Sequence, residues 1–489
     1  MVSNIKQLLV QAEAAYSTAD WSSLIQYLQQ LILGADSEHP EIVKNREHLL
    51  KLTLSILEMG DFQQRWEITK VLTYLGNIAI PPLIEILQDE DAEEELRWYA
   101  ARTLGEFKHP EAIASIVELL KNDEDEELKA IAATALGQMG TIAIASLTEL
   151  LLDENTRLLA VRSLCCIRQP ETITPLLSVV QDPQAAIRAA AIEALSSFHD
   201  ERVPPVLLKA LDDIAAIVRR AAVLGLGFRP DLHQALDLVT RLQPKLYDFN
   251  LDVCCAAAVT LSRMGSDDAA KHLFDLLISP QTPITLQLET IRALSWVGTL
   301  SSLEYLQQAF NQSTSETVWQ EIVTVLGRVQ KPQLTTPSAE ILLQILRCLL
   351  YETLHERQAS LREASLREAS LREASLREAS LREASLREAS PTPTPTPTPT
   401  RTLTPHPATE IASIKSAIAL SLGQLGKMQA IEPLISLLGD SNASVRLHAI
   451  AALKNLDGEA THQQLQQLAN NDAITPDLKQ GIAIALAEW

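Results

Sequence analysis

Aromatic residues are scarce in this chain. Of its 489 residues, 46% are hydrophobic but only 4% are aromatic. The interior must therefore be filled mainly by aliphatic side chains, with few large anchors. Such a composition favours helices that stack closely on one another, and it predicts an all-α protein.

Positive charge is also in short supply. The chain carries 41 basic against 62 acidic residues, which gives a formal net charge of -21. A protein that binds phosphate groups needs a basic footprint. We therefore expect neither nucleic acid nor an anionic membrane as the main partner, and a protein partner is favoured.

Long apolar runs and ordered cysteine spacing are missing as well. We find no run of roughly 18 apolar residues that would span a membrane, and the start, MVSNIKQLLVQAEAAY, lacks the blocks of a signal peptide. The cysteines occur as two adjacent pairs, Cys165 with Cys166 and Cys254 with Cys255, and as a lone Cys348. This spacing suits neither a metal site nor a secreted disulfide framework. The sequence predicts no membrane span and a cytoplasmic, reducing location.

A repeat of about 30 residues is what the chain does contain. In RWEITKVL, RWYAARTL and KAIAATAL, a basic residue is followed seven positions later by Leu. The frame opens on a basic residue at Arg65, Arg97, Lys129, Arg157, Arg188, Arg219 and, later, Arg446. It continues without the charge at Cys254, Gln287 and Trp319. Each unit holds a second apolar segment at helical spacing, so each is predicted to be a helical hairpin.

Two helices of this length cannot bury both apolar faces alone, so the hairpins are expected to stack into an α-solenoid. The predicted segments are an N-terminal helical cap (1–60), HEAT-like repeats (61–352), a low-complexity insertion (353–408) and repeats that continue the same solenoid (409–489). Within the cap, Trp21 and Tyr27 could instead form a docking surface.

The insertion consists of six LREAS units, Leu361 to Ser390, and a Pro-Thr alternation that ends at Thr400. On a helix, Leu at every fifth position rotates by about 140° per unit and forms no stripe, which excludes a coiled coil. We expect a solvated helix followed by polyproline II. Helical patterns flank the segment, so it is predicted to replace the loop of one hairpin. A row of kinase sites, beginning at Arg362 and Ser365, is the functional alternative.

Acidic loops join the two helices of the hairpins. An Asp lies six residues before the basic residue in five units, at Asp91, Asp123, Asp182, Asp213 and Asp440. We expect this Asp to cap the second helix and to pair with a basic residue of the same or a neighbouring unit. The basic row would then be a structural ladder. The alternative is that the row grips acidic groups of a partner.

The pattern D-x5-[RK] with a following A-x-x-A-L-G resembles HEAT repeats, specifically the short HEAT-like type of cyanobacterial phycobilisome lyases. The resemblance implies a role in antenna-protein maturation, with a phycobiliprotein as the candidate partner. The leading hypothesis is a non-catalytic scaffold that binds proteins on a concave face and needs no cofactor. The alternative is a phycobilin lyase or bilin-transfer chaperone, with a linear tetrapyrrole as substrate.

A bilin pocket would lie where the frame loses its basic residue, at Cys254, Cys255, Gln287 and Trp319. Ordinary core filling is the competing interpretation, because free Cys behaves as a small hydrophobe, and no His lies within ten residues of Cys254 to serve as its base. No catalytic residue and no metal site is predicted. The HEAT-repeat deoxyhypusine hydroxylase depends on several His-Glu pairs, and only His355-Glu356 occurs here.

Overall fold

The computed structural model describes residues 2–34, 39–351, 408–471 and 473–489. These residues form α-helices and short 3-10 helices, and no strand occurs among them. They divide into two compact units, Met1–Pro230 and Asp231–Trp489, which are described separately below.

The described residues of the first unit form fifteen α-helices. Four precede the repeats: α1 (Val2–Ser17), α2 (Trp21–Ile32), α3 (Pro40–Lys44) and α4 (Arg46–Met59). The remaining helices are α5 (Phe62–Tyr74), α6 (Ile80–Gln88), α7 (Glu94–Phe107), α8 (Pro110–Asn122), α9 (Glu126–Met139), α10 (Ile144–Leu150), α11 (Arg157–Ile167), α12 (Ile173–Ser178), α13 (Ala185–Leu195), α14 (Val203–Ala210) and α15 (Ala216–Gly227).

These helices stack as hairpins. Each first helix packs on the second helix that follows it, as α6 on α7 and α8 on α9, and the second helices α5, α7, α9, α11, α13 and α15 pack on one another in chain order. Ahead of them, α2 and α4 both pack on α5. We call the exposed side of the row of second helices the second-helix face.

Helix α8 illustrates why these segments fold as they do. Pro110 opens the helix, where its missing N–H costs nothing, and the His109 side chain accepts a bond from the Glu111 backbone. The buried side chains, Ala112, Ile113, Ile116, Leu119 and Leu120, recur at helical spacing and form one apolar face. That face is covered by α6 and α9.

The second unit repeats the arrangement. Its helices are α16 (Leu238–Leu242), α17 (Leu251–Met264), α18 (Asp267–Ile278), α19 (Ile284–Val297), α20 (Leu300–Gln312), α21 (Glu316–Gly327), α22 (332–351), α23 (Ala408–Leu425), α24 (Ile431–Leu437), α25 (Ala443–Ala469) and α26 (Pro476–Glu488). The second helices α17, α19, α21, α23 and α25 pack on one another in that order, and α26 packs on α25.

Helix α23 packs directly on α21, although the low-complexity segment lies between them in the sequence. The Gln320 amide donates to Ser413 Oγ at 2.7 Å, and the Ser421 hydroxyl donates to the Val323 carbonyl at 3.1 Å. The predicted fold class is confirmed: all-α, built of stacked HEAT-like hairpins with one long low-complexity insertion. The predicted LREAS helix, the Pro-Thr polyproline II run and the kinase-site row lie outside the described residues.

One stretch, Glu126–Leu150, has the length and apolar composition of a membrane-crossing helix, which the sequence analysis did not predict. In the structure it is divided. Helix α9 ends before Gly140, which has a φ of +75°, and α10 begins at Ile144. Within the stretch, 44% of the most apolar window is buried inside the protein, and both halves pack as members of the hairpin stack.

Candidate functional site

The basic residues of the repeat frame bind acidic residues of the following repeat. Arg97 Nη2 lies 2.6 Å from Asp123 Oδ2, and Arg157 Nη1 lies 2.8 Å from Asp182 Oδ2. Arg188 holds Asp213 with two bonds, of 2.8 and 2.7 Å. These partners lie 25 or 26 residues further along the chain, so each pair ties two successive hairpins together. We call this series the Arg-Asp ladder.

The ladder residues also bind the loop before their own helix. Arg188 Nη1 donates to the carbonyls of Asp182 and Pro183, at 2.8 and 3.1 Å. Arg219 and Arg446 make the same pair of bonds, at 2.8 and 3.1 Å and at 2.7 and 3.0 Å. One guanidinium therefore satisfies loop carbonyls of its own hairpin and, at Arg97, Arg157 and Arg188, also an acid of the next hairpin.

Two members depart from this pattern. Arg65 binds the Glu93 and Glu95 carboxylates, both at 2.9 Å, rather than an Asp. Lys129 pairs at 3.0 Å with Glu126, which lies in its own helix and is mostly exposed. A lysine does not by itself prevent the inter-repeat pair, because Lys415 Nζ lies 3.0 Å from Asp440 Oδ2, 25 residues further along the chain.

The ladder acids do not cap the second helices, contrary to expectation. Asp182, Asp213 and Asp440 each accept a bond from the backbone N–H two residues further on, at 2.8 to 2.9 Å, within the loop itself. The bond therefore closes a turn ahead of the helix. Where a side chain does cap a second helix, it comes from a later position, such as Asp125 or Asn442.

Two of the ladder acids, Asp123 and Asp213, have a lowered pKa. The hydrogen bond from Arg188 lowers the pKa of Asp213 from its ordinary value of 3.8, and this outweighs the opposing effect of burial. At Asp123, burial acts to raise the pKa, but bonds from the Asp125 backbone and from Arg97 together bring the pKa below 3.8. Both acids are therefore ionised at neutral pH.

The four candidate bilin-pocket residues lie on three successive second helices of the second unit. Cys254 is buried on α17, and its thiol donates to the Asp248 carbonyl at 3.1 Å. That carbonyl stands six residues earlier, as the Asp182 carbonyl does relative to Arg188. Trp319 Nε1 donates to the Phe310 carbonyl at 2.9 Å, and the two rings stack at 5.5 Å. Gln287 lies half-buried on α19, and Cys255 lies half-buried beside Cys254. Cys254 thus takes over the loop contact of the ladder arginines, whereas Trp319 binds a carbonyl in the last turn of the preceding first helix, α20.

The thiols of Cys165, Cys254 and Cys255 are not activated for nucleophilic chemistry. Burial raises the pKa of Cys254, and burial together with Glu289 and Asp252 raises the pKa of Cys255. At Cys165, burial and the neighbouring Cys166 raise the pKa to about 12. Thiolate nucleophiles need the opposite shift. Among the described residues, no group of three or more His, Cys, Asp and Glu side chains is arranged to hold a metal ion.

An aromatic cluster on the second-helix face of the first unit was missed from the sequence. The Arg102 guanidinium lies over the Trp66 ring, 3.7 Å from its centroid, and 5.8 Å from that of Trp98. Phe62, 63% exposed, lies one turn before Trp66 and makes an edge contact with Tyr99. The signal was visible, since Trp directly follows the ladder Arg in both RWEITK and RWYAAR. We call Phe62, Trp66, Trp98 and Arg102 the aromatic patch.

Comparison with known proteins identifies the repeats. The HEAT repeats family matches residues 80–158, 152–227 and 409–487. Pentapeptide repeats (8 copies) match residues 357–390, outside the described part of the chain. The bilin biosynthesis protein PecE of Nostoc sp. is 25% identical over 199 residues, which cover 41% of this chain and 65% of that relative.

Two solved structures are similar at lower identity. The CpcE and CpcF complex of phycocyanin lyase from Nostoc sp. is 20% identical, with 47% of this chain and 93% of that chain covered and a TM-score of 0.28. Human deoxyhypusine hydroxylase is 21% identical, with 50% and 94% covered and a TM-score of 0.24.

The stacked hairpins and the matching residues define the class of the fold: an α-solenoid with HEAT repeats at residues 80–227 and 409–487. The similarity to the bilin biosynthesis protein PecE agrees with the resemblance to phycobilin lyases that the repeat pattern indicated.

Proposed function

We propose that this chain is a non-catalytic scaffold that binds a phycobiliprotein in the cytosol during its maturation or assembly. The similarity to a bilin biosynthesis protein supports the biological setting. The chain spans 65% of that relative's length, so activity, substrate and partner all belong to the proposal.

The contacts that the ladder arginines and Cys254 make inside the protein support the non-catalytic part of the proposal. The ladder arginines donate hydrogen bonds to loop carbonyls and to acids of the next repeat. Cys254 is buried and bonded to a carbonyl, with a raised pKa. A covalent bilin intermediate would need an activated thiolate, and these thiols are held protonated. The scaffold holds no cofactor of its own in this proposal.

The second candidate is a bilin lyase or bilin-transfer chaperone, with a linear tetrapyrrole as substrate. The similarity to a bilin biosynthesis protein of Nostoc sp. favours this candidate. A chaperone of this kind needs no nucleophile of its own, because the acceptor cysteine belongs to the phycobiliprotein. In this candidate the exposed side of the stack would hold the tetrapyrrole while the phycobiliprotein supplies the thiol.

One co-expression experiment separates the two candidates. The full chain is produced with an apo-phycobiliprotein and a bilin-producing system, and the purified complex is examined by size-exclusion chromatography and absorbance. We expect a stable complex with no covalent bilin band that depends on the chain. A chain-dependent covalent band establishes the lyase candidate instead, and the absence of any complex rules out the scaffold.

Cysteine variants sharpen the result. Cys254→Ser and Cys255→Ser remove the thiols of the candidate bilin pocket, and Cys348→Ser removes an exposed thiol as the matched control. The scaffold proposal expects all three variants to bind the apo-phycobiliprotein as the unmodified chain does. Loss of a bilin band only in the first two variants would assign the pocket to the lyase candidate.

A further inference from the structure

Six of the chain's aromatic residues lie on two neighbouring second helices. Phe62, Trp66 and Tyr74 belong to α5, and Trp98, Tyr99 and Phe107 belong to α7. In a chain with 4% aromatic residues, this is a local concentration. Tyr99 is fully buried, and its hydroxyl donates to the Phe62 carbonyl at 3.0 Å. Tyr99 therefore fixes the two helices against each other beneath the aromatic patch.

Arg102 forms no ion pair with a carboxylate of the described residues. The ladder arginines all bind carboxylates or loop carbonyls, whereas the contacts of Arg102 within the described residues are the two indole rings. Lys70 is exposed one turn beyond Trp66 on α5, and no carboxylate of the described residues lies within ion-pair distance of it. In a chain of net charge -21, Arg102 and Lys70 are thus two basic side chains of this surface that make no ion pair with a carboxylate of the described residues.

The geometry selects one kind of ligand. A guanidinium that rests with its face on an indole keeps its in-plane N–H groups directed outward. Two of those N–H groups match the two oxygens of a carboxylate. The exposed Phe62 ring and the indole edges offer an apolar surface beside that charge, and Trp and Arg are the residues most enriched at the centres of protein interfaces.

We propose that the aromatic patch docks a segment of a partner protein that carries a carboxylate next to an apolar side chain. The carboxylate binds the N–H edge of Arg102, and the apolar side chain lies against Phe62 and Trp66. The proposal rests on the proposed function, because it names the surface and the chemistry by which the partner would be bound.

The first test measures binding of the full chain to a purified apo-phycobiliprotein by biolayer interferometry. Trp66→Ala and Arg102→Leu are each expected to weaken binding by about tenfold or more, as interface hot spots do. Arg102→Lys keeps the charge but loses the planar fork, and it is expected to fall between Arg102→Leu and the unmodified chain. Circular dichroism confirms that each variant is folded.

Matched controls come from the same chain. Trp296→Ala removes an indole that is 60% exposed on a second helix of the other unit, and Arg220→Leu removes an exposed arginine of α15. Both controls are expected to bind as the unmodified chain does. If the unmodified chain binds and the patch variants bind equally well, the patch proposal is overturned while the scaffold function stands.

A second test does not depend on the phycobiliprotein. Two synthetic peptides share the same Leu and Ala positions, and one carries Glu where the other carries Gln. We expect the Glu peptide to bind the unmodified chain more tightly, to weaken as salt is raised, and to lose this preference with Arg102→Leu. Equal binding of the two peptides overturns the proposal. If the apo-phycobiliprotein does not bind at all, the scaffold function fails, and the peptide pair still decides the role of the patch.

Discussion

At the scale of single residues, a ladder arginine such as Arg188 both satisfies loop carbonyls of its own hairpin and binds an acid of the next hairpin. The planar guanidinium of Arg188 donates on one side to the carbonyls of its own loop and on the other to Asp213. Without such a donor, these loop carbonyls would be left unsatisfied in a partly buried position. The ladder therefore stabilises each hairpin and joins it to the next through a single side chain.

Removal of one ladder arginine should be costly. The side chains of Arg188 and Asp213 are only 9% and 16% exposed, so Arg188→Met leaves an almost buried carboxylate and loop carbonyls without their donor. We expect a loss of about 2–4 kcal/mol in the free energy of unfolding, measured by urea denaturation. Lys129→Met is the matched control, since its pair with the exposed Glu126 should contribute less than about 1 kcal/mol. Equal losses in the two variants would contradict a ladder role.

The same ion pair predicts how stability depends on pH. Arg188 holds the pKa of Asp213 below 3.8 in the folded chain. A carboxyl with a lowered pKa contributes stability above its unfolded pKa, and that contribution is lost as the pH falls through the folded pKa. The unmodified chain should therefore lose stability as the pH is lowered from about 4. Asp213→Asn should be less stable at neutral pH and lose less over that acid range.

Urea midpoints measured at several pH values test this expectation. Glu304→Gln, at an exposed position of α20, is the control and should follow the unmodified chain at every pH. The expectation is wrong if Asp213→Asn and the unmodified chain lose stability in parallel.

At the scale of helices, the periodic pattern of the sequence predicts most of the fold. Apolar spacing and Pro at helix starts marked the hairpins, because these features act within one helix. The sequence does not decide whether a ladder arginine pairs with an Asp of its own unit or of a neighbouring unit, since that pairing depends on how the hairpins stack. The position of Arg102 between Trp66 and Trp98 also required the packing of α5 on α7. Contacts within a helix can be predicted from the sequence, whereas contacts between repeats depend on how the hairpins pack on one another.

Close packing of the second helices explains the glycine in the A-x-x-A-L-G pattern. A Cβ added at Gly423 of α23 would lie 2.8 Å from Ala452 Cα on α25. Gly423→Ala must therefore push two packed helices apart, and we expect a net loss of about 1–2 kcal/mol in stability. Thermal and urea unfolding provide the measurement.

Gly458 offers a matched control on one of the same two helices. It lies within α25, and a Cβ added there meets nothing within 4 Å. Gly458→Ala should stabilise the chain by about 0.5–1 kcal/mol, because Ala is the better helix former. A loss at Gly458 as large as that at Gly423 would show that the short interhelical distance does not explain the loss at Gly423.

At the scale of the whole chain, the stack of the second unit is built by residues on both sides of the low-complexity segment. Helices α21 and α23 contact each other through Gln320 and Ser413 and through Val323 and Ser421. A Cβ added at Gly327 would lie 2.5 Å from Ser421 Cβ, so this interface is as close as the α23–α25 interface. Closure of a long connection costs little more than closure of a short one, about 0.6 kcal/mol per doubling of its length. The interface therefore does not require a particular length of chain between its two helices.

Removal of the segment tests this directly. We expect that replacing residues 359–401 with a short acidic loop leaves unfolding cooperative and the melting temperature nearly unchanged, because the contacts between α21 and α23 are retained. Differential scanning calorimetry of the shortened and full chains provides the measurement, and the double variant with Gly423→Ala serves as a positive control for a weakened stack. A large fall in melting temperature on deletion alone would mean that the segment itself packs against the helices. Binding to the apo-phycobiliprotein should likewise survive the deletion, since the aromatic patch lies in the first unit and is held in place by Tyr99.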